Sequence, residues 1–156
     1  MSKTNALRIL DAARVPYIIH EYDILDGKID GVSVANKIGQ DPERVFKTLV
    51  TIGKFTGINV FVIPVECELD LKKAALAAGD KYIEMIKSRD LEPQTGYIHG
   101  GCSPVGMKKA FPTFIEETAV LYDTINVSAG RVGLQMELAP EDLLKVTQAS
   151  LRDIVG

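Results

Sequence analysis

One short stretch of the chain has a composition that points to chemistry, residues 96–109, GYIHGGCSPVGMKK. Gly100 and Gly101 would let a ligand approach the backbone closely, because glycine carries no side chain. Ser103 and Pro104 are typical of a helix N-cap followed by a first-turn proline, so we predict that a helix begins there. The free amides at such a start can hold a phosphate or the oxyanion of an acyl-transfer transition state. A plain turn that binds nothing is the alternative.

A thiol lies in the same stretch, and a nucleophilic cysteine is the competing interpretation. A thiol near the start of a helix can have a lowered pKa. A nucleophile also needs a base, and the base needs a group that orients it. His99 is three residues from Cys102, but the neighbouring sequence offers no third member. We therefore do not expect Cys102 to be catalytic, and we interpret Cys67 as a small apolar filler.

A lysine occupies an unexpected position in the segment RVFKTLV, residues 44–50. Strand alternation would place Lys47 on the same face as Val45 and Leu49. An unpaired ammonium is costly to bury. Either the side chain reaches solvent at an edge, or it points into a pocket that receives an anionic or carbonyl ligand. The sequence pattern leaves both possibilities open.

A second glycine-containing turn, VSAGRVG, spans residues 127–133 between two strand-like segments. Ser128 and Arg131 could reach a phosphate from this turn, although a solvated hairpin tip is an equal alternative. Tyr22, which follows the strand-like IIHE, could be a core aromatic residue or a pocket wall.

The composition is that of an ordinary globular protein, with 46% hydrophobic and 25% charged residues. A net charge of −3 argues against a protein that holds nucleic acid without a partner. The N-terminal sequence does not have the pattern of a secretory signal, and the two cysteines are isolated from one another. We therefore expect a cytoplasmic protein with no metal site and no cofactor.

Short helical and strand patterns alternate along the chain, and we predict one domain over residues 1–156. Helices are predicted after an N-cap at Thr4, over 32–39, from an N-cap at Asp70 to Gly79, and over 140–148. Strands are predicted over 17–22, 119–123, 124–128 and 134–138, with a hairpin of near-central strands over 44–53 and 58–65. The last strand would have Leu134, Met136 and Leu138 on a buried face and Gln135 and Glu137 on a wet one. The predicted class is α/β or α+β, with a mixed sheet that curls and helices outside it.

Five segments occur together in an order and spacing that resemble the YbaK/EbsC family of free-standing aminoacyl-tRNA editing proteins. They are VFKTLV, DLKKAALAAGDKYIEM, TGYIHGGCSPVGMKK, PTFIEE and INVSAGRVGLQMELAPEDL. The resemblance extends from about residue 4 to the end of the chain. It implies a mixed sheet rolled into a partial barrel, surrounded by helices.

The resemblance also implies a reaction, hydrolysis of the ester that joins a misattached amino acid to the 3′ ribose of tRNA. A hydrophobic pocket discriminates poorly between amino acids of similar size, so a second site must edit. In the branch that acts on Cys-tRNA(Pro), the thiol of the substrate attacks its own ester carbonyl, and the protein supplies positioning and oxyanion stabilisation. The implied partners are the aminoacyl-tRNA 3′ end and prolyl-tRNA synthetase, with weak intrinsic affinity for tRNA and no association with membranes.

Residue roles follow from the same resemblance. Gly100 and Gly101 would present amides to the carbonyl or the terminal ribose, and Lys47 would fix the terminal nucleotide and the reacting ester. The substrate-binding residues would be Tyr22, Thr48, Cys102, Ser103, Pro104, Ser128 and Arg131. Family members often have isoleucine where Cys102 stands, which agrees with a thiol that is not required.

Three positions depart from the family pattern. Val132 stands where a second basic residue is expected, Gln135 where an acidic residue is expected, and Asp30 where an aromatic residue is expected. These positions border the substrate, so they bear on the amino acid that is removed. The alternatives to a Cys-tRNA(Pro) deacylase are an enzyme that removes alanine or another small amino acid with activated water, a module that binds a synthetase or tRNA without catalysis, and a thiol enzyme that uses Cys102.

Overall fold

The structure is a computed structural model, and it describes residues 2–156. Five α-helices lie in this part of the chain: α1 (Asn5–Ala12), α2 (Gly31–Lys37), α3 (Leu71–Ala78), α4 (Ser88–Thr95) and α5 (Pro140–Thr147). The strands are β1 (Ile18–Glu21), β2 (Phe46–Gly53), β3 (Gly57–Pro64), β4 (Ile83–Met85), β5 (Thr113–Glu116), β6 (Ile125–Arg131), β7 (Leu134–Leu138) and β8 (Ser150–Arg152). Within residues 2–156, no helix has the length and apolar character needed to cross a bilayer.

The strands form two sheets. The smaller sheet has the order β1-β7-β6 and is antiparallel throughout. The larger sheet has the order β4-β2-β3-β5-β8, and its β3–β5 and β5–β8 pairs are parallel. A bridge between Val45 and Asn126 brings the two sheets together, but they do not close into a barrel. The predicted mixed α/β class with a partly rolled sheet is confirmed.

The main core lies between the sheets and α1. Phe46 from β2, Met136 from β7 and Leu7 from α1 are all at least 98% buried and belong to one cluster. Burying each side chain of this size contributes about 1.5–3 kcal/mol. A second cluster packs α3 against the opposite face of the larger sheet, with Phe61 and Phe114 stacked at 5.3 Å. The first cluster therefore joins β2, β6 and β7 to α1, and the second joins α3 to β3 and β5.

The predicted helix caps at Thr4, Asp70 and Gly79 are confirmed. Thr4 Oγ1 accepts a hydrogen bond from the Leu7 amide at 3.2 Å and donates to the Ala129 carbonyl at 2.5 Å, which ties α1 to β6. Asp70 accepts from two amides at the start of α3, and Gly79 ends that helix with a φ of 69°. The β2–β3 hairpin is also confirmed, because its register runs from Phe46 opposite Pro64 to Gly53 opposite Gly57.

Two predicted elements are wrong. No helix begins at Ser103, because residues 101–112 are irregular and the Ser103 hydroxyl accepts from the Val105 amide in a local turn. Residues 119–123 do not form a strand, since most of them lie in a short 3₁₀ helix, Glu117–Leu121. The Glu116 carboxylate starts that helix by accepting from the Thr118 amide at 2.9 Å. In both cases a side chain satisfies a nearby amide and selects a turn over the predicted element.

Candidate functional site

A cavity of about 790 Å³ opens between the two sheets and α4. Its lining includes Lys47 and Thr48 from β2, Ser128 from β6 and Gln135 from β7. Tyr22, Gly100 and Cys102 complete this set from the segments outside the strands. The volume is within the range of small-molecule sites in proteins, roughly 300–1,000 Å³.

The cavity exists because β4 is much shorter than β2. Strand β4 pairs with β2 only at Thr51–Gly53, and one further bond joins the Ile86 amide to the Val50 carbonyl. Beyond that point the chain turns away into α4, which forms the opposite wall. The edge of β2 around Lys47 and Thr48 is thereby left facing an open space.

Lys47 lines this space and is partly exposed. Its side chain makes no ion pair within 4 Å in the described part of the chain. A cation that is held beside apolar neighbours without a counter-ion is suited to attract a negatively charged or strongly polarised group. Of the two possibilities that the sequence leaves open, the structure therefore favours the pocket.

Unpartnered polar atoms concentrate in the cavity. Tyr22 Oη, Thr48 Oγ1 and Gln135 Oε1 are buried and have no hydrogen-bond partner. Across residues 2–156 four side-chain atoms are in this condition, and these three belong to residues that line the cavity. Each buried polar group without a partner costs about 1–3 kcal/mol, so a native protein keeps few of them without a reason. Their clustering indicates a site that a polar ligand completes.

The prediction of a wet face on β7 is wrong at Gln135. This side chain is 6% exposed and points away from the core residues Leu134 and Met136. It lies beside Ser128, its cross-strand partner on β6. The cavity, rather than bulk solvent, occupies that face of the strand.

The glycine loop lies against the β6–β7 turn. A Cβ atom on Gly101 would come within 2.9 Å of the Val132 amide nitrogen, so the close approach of two backbones requires glycine there. The Gly101 amide donates to the Ile98 carbonyl at 3.0 Å and closes a tight turn. In this structure it is therefore not the free donor that the sequence analysis expects.

Gly100 occupies the third position of that turn, with a φ of 85°, and it lines the cavity. A left-handed residue at this position is typical of a type II turn. A Cβ there would be 2.9 Å from Cδ1 of Ile29. The Gly100 amide makes no backbone hydrogen bond within the loop, so Gly100 rather than Gly101 has the available donor.

Three of the predicted binding residues do not face the cavity. Ser103 and Pro104 are buried beneath the loop and support its shape. Arg131 is exposed at the end of β6 and lines a separate shallow groove of about 390 Å³ beside Tyr22. Its guanidinium donates to the Ser2 carbonyl at 3.4 Å. The expectation of direct contact is therefore not supported by the positions of these side chains.

Cys102 lines the cavity, but its thiol is poorly suited to nucleophilic attack. Burial raises the pKa of this thiol to about 12. The thiolate, which is the nucleophilic form, is therefore scarce at neutral pH. No helix begins at Cys102 that could oppose this effect.

A polar network lies behind Gln135 in the smaller sheet. His20 Nε2 is 2.8 Å from Glu137 Oε1, and the Thr124 hydroxyl donates to Glu137 Oε2 at 2.5 Å. Burial would raise the pKa of Glu137, but these hydrogen bonds outweigh that effect and lower it. His20 on β1 and Glu137 on β7 therefore have hydrogen-bond partners, whereas Gln135 Oε1 at the cavity has none.

Sequence reasoning missed the whole wall formed by α4. Ser88, Arg89, Leu91, Glu92 and Pro93 all line the cavity. The helix has a polar sequence with an internal proline, so it lacks the apolar periodicity that predicts a helix. Its only clear signal is Gly96, which ends the helix with a φ of 85°.

Comparison with known proteins identifies the family. A family model described as an aminoacyl-tRNA editing domain matches residues 30–146. EbsC of Enterococcus faecalis, whose name proposes Cys-tRNA(Pro)/Cys-tRNA(Cys) deacylase activity, is 50% identical over 152 residues, covering 97% of this chain and 93% of that protein.

Two solved structures share the fold. A structure described as a proposed trans-editing enzyme for prolyl-tRNA synthetase has a TM-score of 0.84 at 22% identity, with coverage of 100% of this chain and 99% of that chain. A protein described as hypothetical has a TM-score of 0.88 at 18% identity, with coverage of 98% and 100%. Together with the matched family model, the half-identical relative shows that the chain belongs to the aminoacyl-tRNA editing domain family and is an aminoacyl-tRNA deacylase.

Proposed function

We propose that the protein hydrolyses the ester of Cys-tRNA(Pro), and that the thiol of the substrate assists the cleavage. The observation that carries the proposal is the meeting of an unpaired ammonium, Lys47, with three unpartnered buried polar atoms in one cavity. The specificity named for EbsC supports cysteine as the amino acid that is removed. The cavity has room for a terminal nucleoside and a small aminoacyl group.

The proposed step needs no nucleophile from the protein. The cysteinyl sulfur bonds to its own carbonyl carbon, the bond from that carbon to the ribose oxygen breaks, and the thiol proton ends on the ribose hydroxyl. The products are free tRNA and a cyclic thioester, which water opens to cysteine. Negative charge develops on the carbonyl oxygen in the transition state, and a fixed donor at that place lowers the barrier.

The residues of the cavity divide this task. The Lys47 ammonium and the Gly100 amide would stabilise the oxyanion, while Tyr22, Thr48 and Ser128 would hydrogen-bond the terminal ribose and base. The Ser128 hydroxyl already accepts from the Gly130 amide at 3.2 Å, so its own hydrogen remains free to donate. The protonated Cys102 thiol would contribute only to the wall.

The test is a deacylation panel on tRNA(Pro) charged with cysteine, alanine or proline. Wild-type protein is expected to cleave the cysteinyl ester and to spare the prolyl ester. Lys47→Ala should lower kcat/KM by about 100-fold, since loss of one transition-state donor typically costs that much. Lys72→Ala is the matched control, because Lys72 is exposed on α3 away from the cavity.

The rival functions give different results in the same panel. Faster cleavage of the alanyl ester would overturn thiol assistance, because alanine has no thiol and its ester requires activated water. Absence of turnover on every charged tRNA would indicate a binding module. Loss of activity in Cys102→Ser, but not in Lys47→Ala, would indicate a thiol enzyme.

The proposed partner is prolyl-tRNA synthetase, which would supply most of the binding affinity for tRNA. A net charge of −3 gives the protein little general attraction for a polyanion. One structural neighbour is described as acting for the same synthetase. A cytoplasmic location agrees with this role.

A further inference from the structure

An exposed aromatic cluster lies at the far end of the β2–β3 hairpin from Lys47. Phe55 is 72% exposed and Tyr82 is 49% exposed. Lys54 Nζ lies 5.3 Å from the centre of the Phe55 ring and 5.9 Å from that of Tyr82. We call these three residues the stacking platform. Because both rings are exposed, they do not contribute to the hydrophobic core. Exposed apolar side chains that cluster in this way often mark a binding site.

Hydrogen bonds to Asp80, which we call the clamp, hold the backbone of the hairpin tip that carries Phe55. Asp80 accepts hydrogen bonds from the Phe55 amide at 3.1 Å, from the Thr56 amide at 2.9 Å and from the Thr56 hydroxyl at 2.6 Å. A Cβ on Gly53 would lie 2.1 Å from Asp80 Oδ2, so the clamp requires glycine at that position. The buried Asn59 side chain donates to Thr56 Oγ1 at 2.8 Å and braces the clamp from below. An aromatic residue on a backbone fixed in this way loses less freedom when a ligand stacks on it.

Strand β4 connects the platform to the cavity. It is the edge strand of the larger sheet, and Tyr82 immediately precedes it. At its other end Met85 is 47% exposed and lines the cavity, as does Arg89 a few residues later. Gly53 lies six residues after Lys47 along β2, which corresponds to about 20 Å. A ligand that leaves the cavity along this edge therefore meets the platform.

The charge of this edge favours a polyanion. Residues 81–89 contain three cations, Lys81, Lys87 and Arg89, against one anion, Glu84, in a chain whose net charge is −3. All three cations are exposed, and the exposed Lys54 adds a fourth at the platform, next to the charged Asp80 carboxylate. Basic side chains interleaved with exposed aromatic rings are typical of single-stranded nucleic-acid binding. Aromatic residues are also enriched at protein–protein interfaces, but lysine is depleted there, so the lysines at this edge favour a polyanion.

We propose that the stacking platform and the β4 edge bind the unpaired 3′ strand of tRNA where it leaves the cavity, with bases stacked on Tyr82 and Phe55 and phosphates near the flanking cations. The proposal rests on the proposed function, because it assumes that the terminal aminoacyl nucleotide occupies the cavity. The protein would then make a small contact with the RNA itself, in addition to the contacts made by the synthetase.

A kinetic comparison tests the proposal with two substrates that carry the same ester. Full-length charged tRNA has the 3′ strand, whereas cysteinyl-adenosine lacks it. Phe55→Ala and Tyr82→Ala should each lower kcat/KM on tRNA by about tenfold, the effect of losing one stacked base. Hydrolysis of cysteinyl-adenosine should keep its wild-type rate in both variants. Leu121→Ala is the control, because Leu121 is 73% exposed and lies outside the platform and the cavity.

Equal losses on the two substrates, or no loss on either, would overturn the proposal. A loss that appears only when prolyl-tRNA synthetase is added would also overturn it and would make the platform a protein-docking surface.

A binding measurement separates this proposal from the proposed function, since it needs no catalysis. The probe is an uncharged, fluorescein-labelled single-stranded RNA that ends in CCA, followed by fluorescence anisotropy at low salt. Phe55→Ala and Tyr82→Ala should weaken binding about tenfold relative to Leu121→Ala. If these variants bind like wild type, the platform is not an RNA site even if deacylation is observed. If they weaken binding but no charged tRNA is hydrolysed, the RNA site stands and the proposed reaction fails.

Discussion

Two threonines on one strand illustrate how the cavity differs from the core. Thr48 and Thr51 both lie on β2, but the Thr51 hydroxyl donates to the Asn59 carbonyl at 2.8 Å, whereas the Thr48 hydroxyl has no partner. Replacing a satisfied hydroxyl by a methyl group loses a hydrogen bond. Replacing an unpartnered one removes a cost that the free protein carries.

We therefore expect opposite effects of the same substitution at these positions. Thr51→Val should lower the free energy of unfolding by about 1–3 kcal/mol, while Thr48→Val should leave it unchanged or raise it by about 1 kcal/mol. Thr48→Val should also lower kcat/KM for deacylation. Urea unfolding and deacylation assays measure the two effects, and a destabilised Thr48→Val protein with full activity would contradict the assignment.

Cys102 provides the second prediction at this scale. Because burial raises the pKa of its thiol to about 12, alkylation by iodoacetamide in the folded protein should be slow at pH 7 and rise only in strongly alkaline solution. Folding favours the neutral thiol, so its contribution to stability is complete below the ordinary thiol pKa and is lost as pH rises toward 12. Cys102→Ser should retain deacylation within about threefold. Rapid labelling of this thiol at neutral pH would refute the unreactive assignment.

At the scale of elements, the two ends of β4 determine where the cavity opens and how the tip of the β2–β3 hairpin is held. Its short pairing with β2 opens the cavity, and the clamp at its start fixes the hairpin tip. Partial desolvation alone would raise the pKa of Asp80, but hydrogen bonds from Thr56, Phe55 and Lys81 outweigh it and hold this pKa well below its usual range. The charged carboxylate is thus the form that stabilises the tip.

A lowered pKa in the folded state means that this stabilisation is present above the ordinary carboxylate pKa and is lost as pH falls below it. We expect Asp80→Asn to lower the melting temperature at pH 7 and to have a smaller effect near pH 2. Glu84→Gln is the control, since Glu84 is exposed on β4 and makes no ion pair or side-chain hydrogen bond in the described chain. Circular dichroism melts at the two pH values measure the difference, and equal shifts at both would argue against a charged clamp.

At the scale of the whole molecule, charge is distributed unevenly. The chain carries a net charge of −3, while the β4 edge carries an excess of cations. We expect weak binding of bare tRNA with little salt dependence, because few phosphates are neutralised and each neutralised phosphate adds to the salt dependence. Anisotropy titrations over a range of salt concentrations should give a shallow slope. A tight complex with a steep slope would show that the protein does not need a synthetase to hold its substrate.

Much of the fold could be predicted because local chemistry specifies it. The caps at Thr4 and Asp70 each satisfy amides within a few residues, and the β-branched runs of β2 and β3 are joined by a short glycine turn. Elements without such signals escaped prediction, including α4 and the short strands β4, β5 and β8. Their sequences are short or polar, and neighbouring strands rather than local propensity hold them in place.

The sequence by itself determined the family, the mixed α/β class and the position of Lys47 among apolar neighbours on a strand. Only the tertiary structure decided that Tyr22, Lys47, Thr48, Gly100, Ser128 and Gln135 surround one cavity. It also decided that the Gly101 amide is engaged and that the Cys102 thiol stays protonated. The physical reason is that residue patterns specify local hydrogen bonds and buried faces. A cavity instead depends on where distant strands stop pairing and on which polar atoms are left without partners.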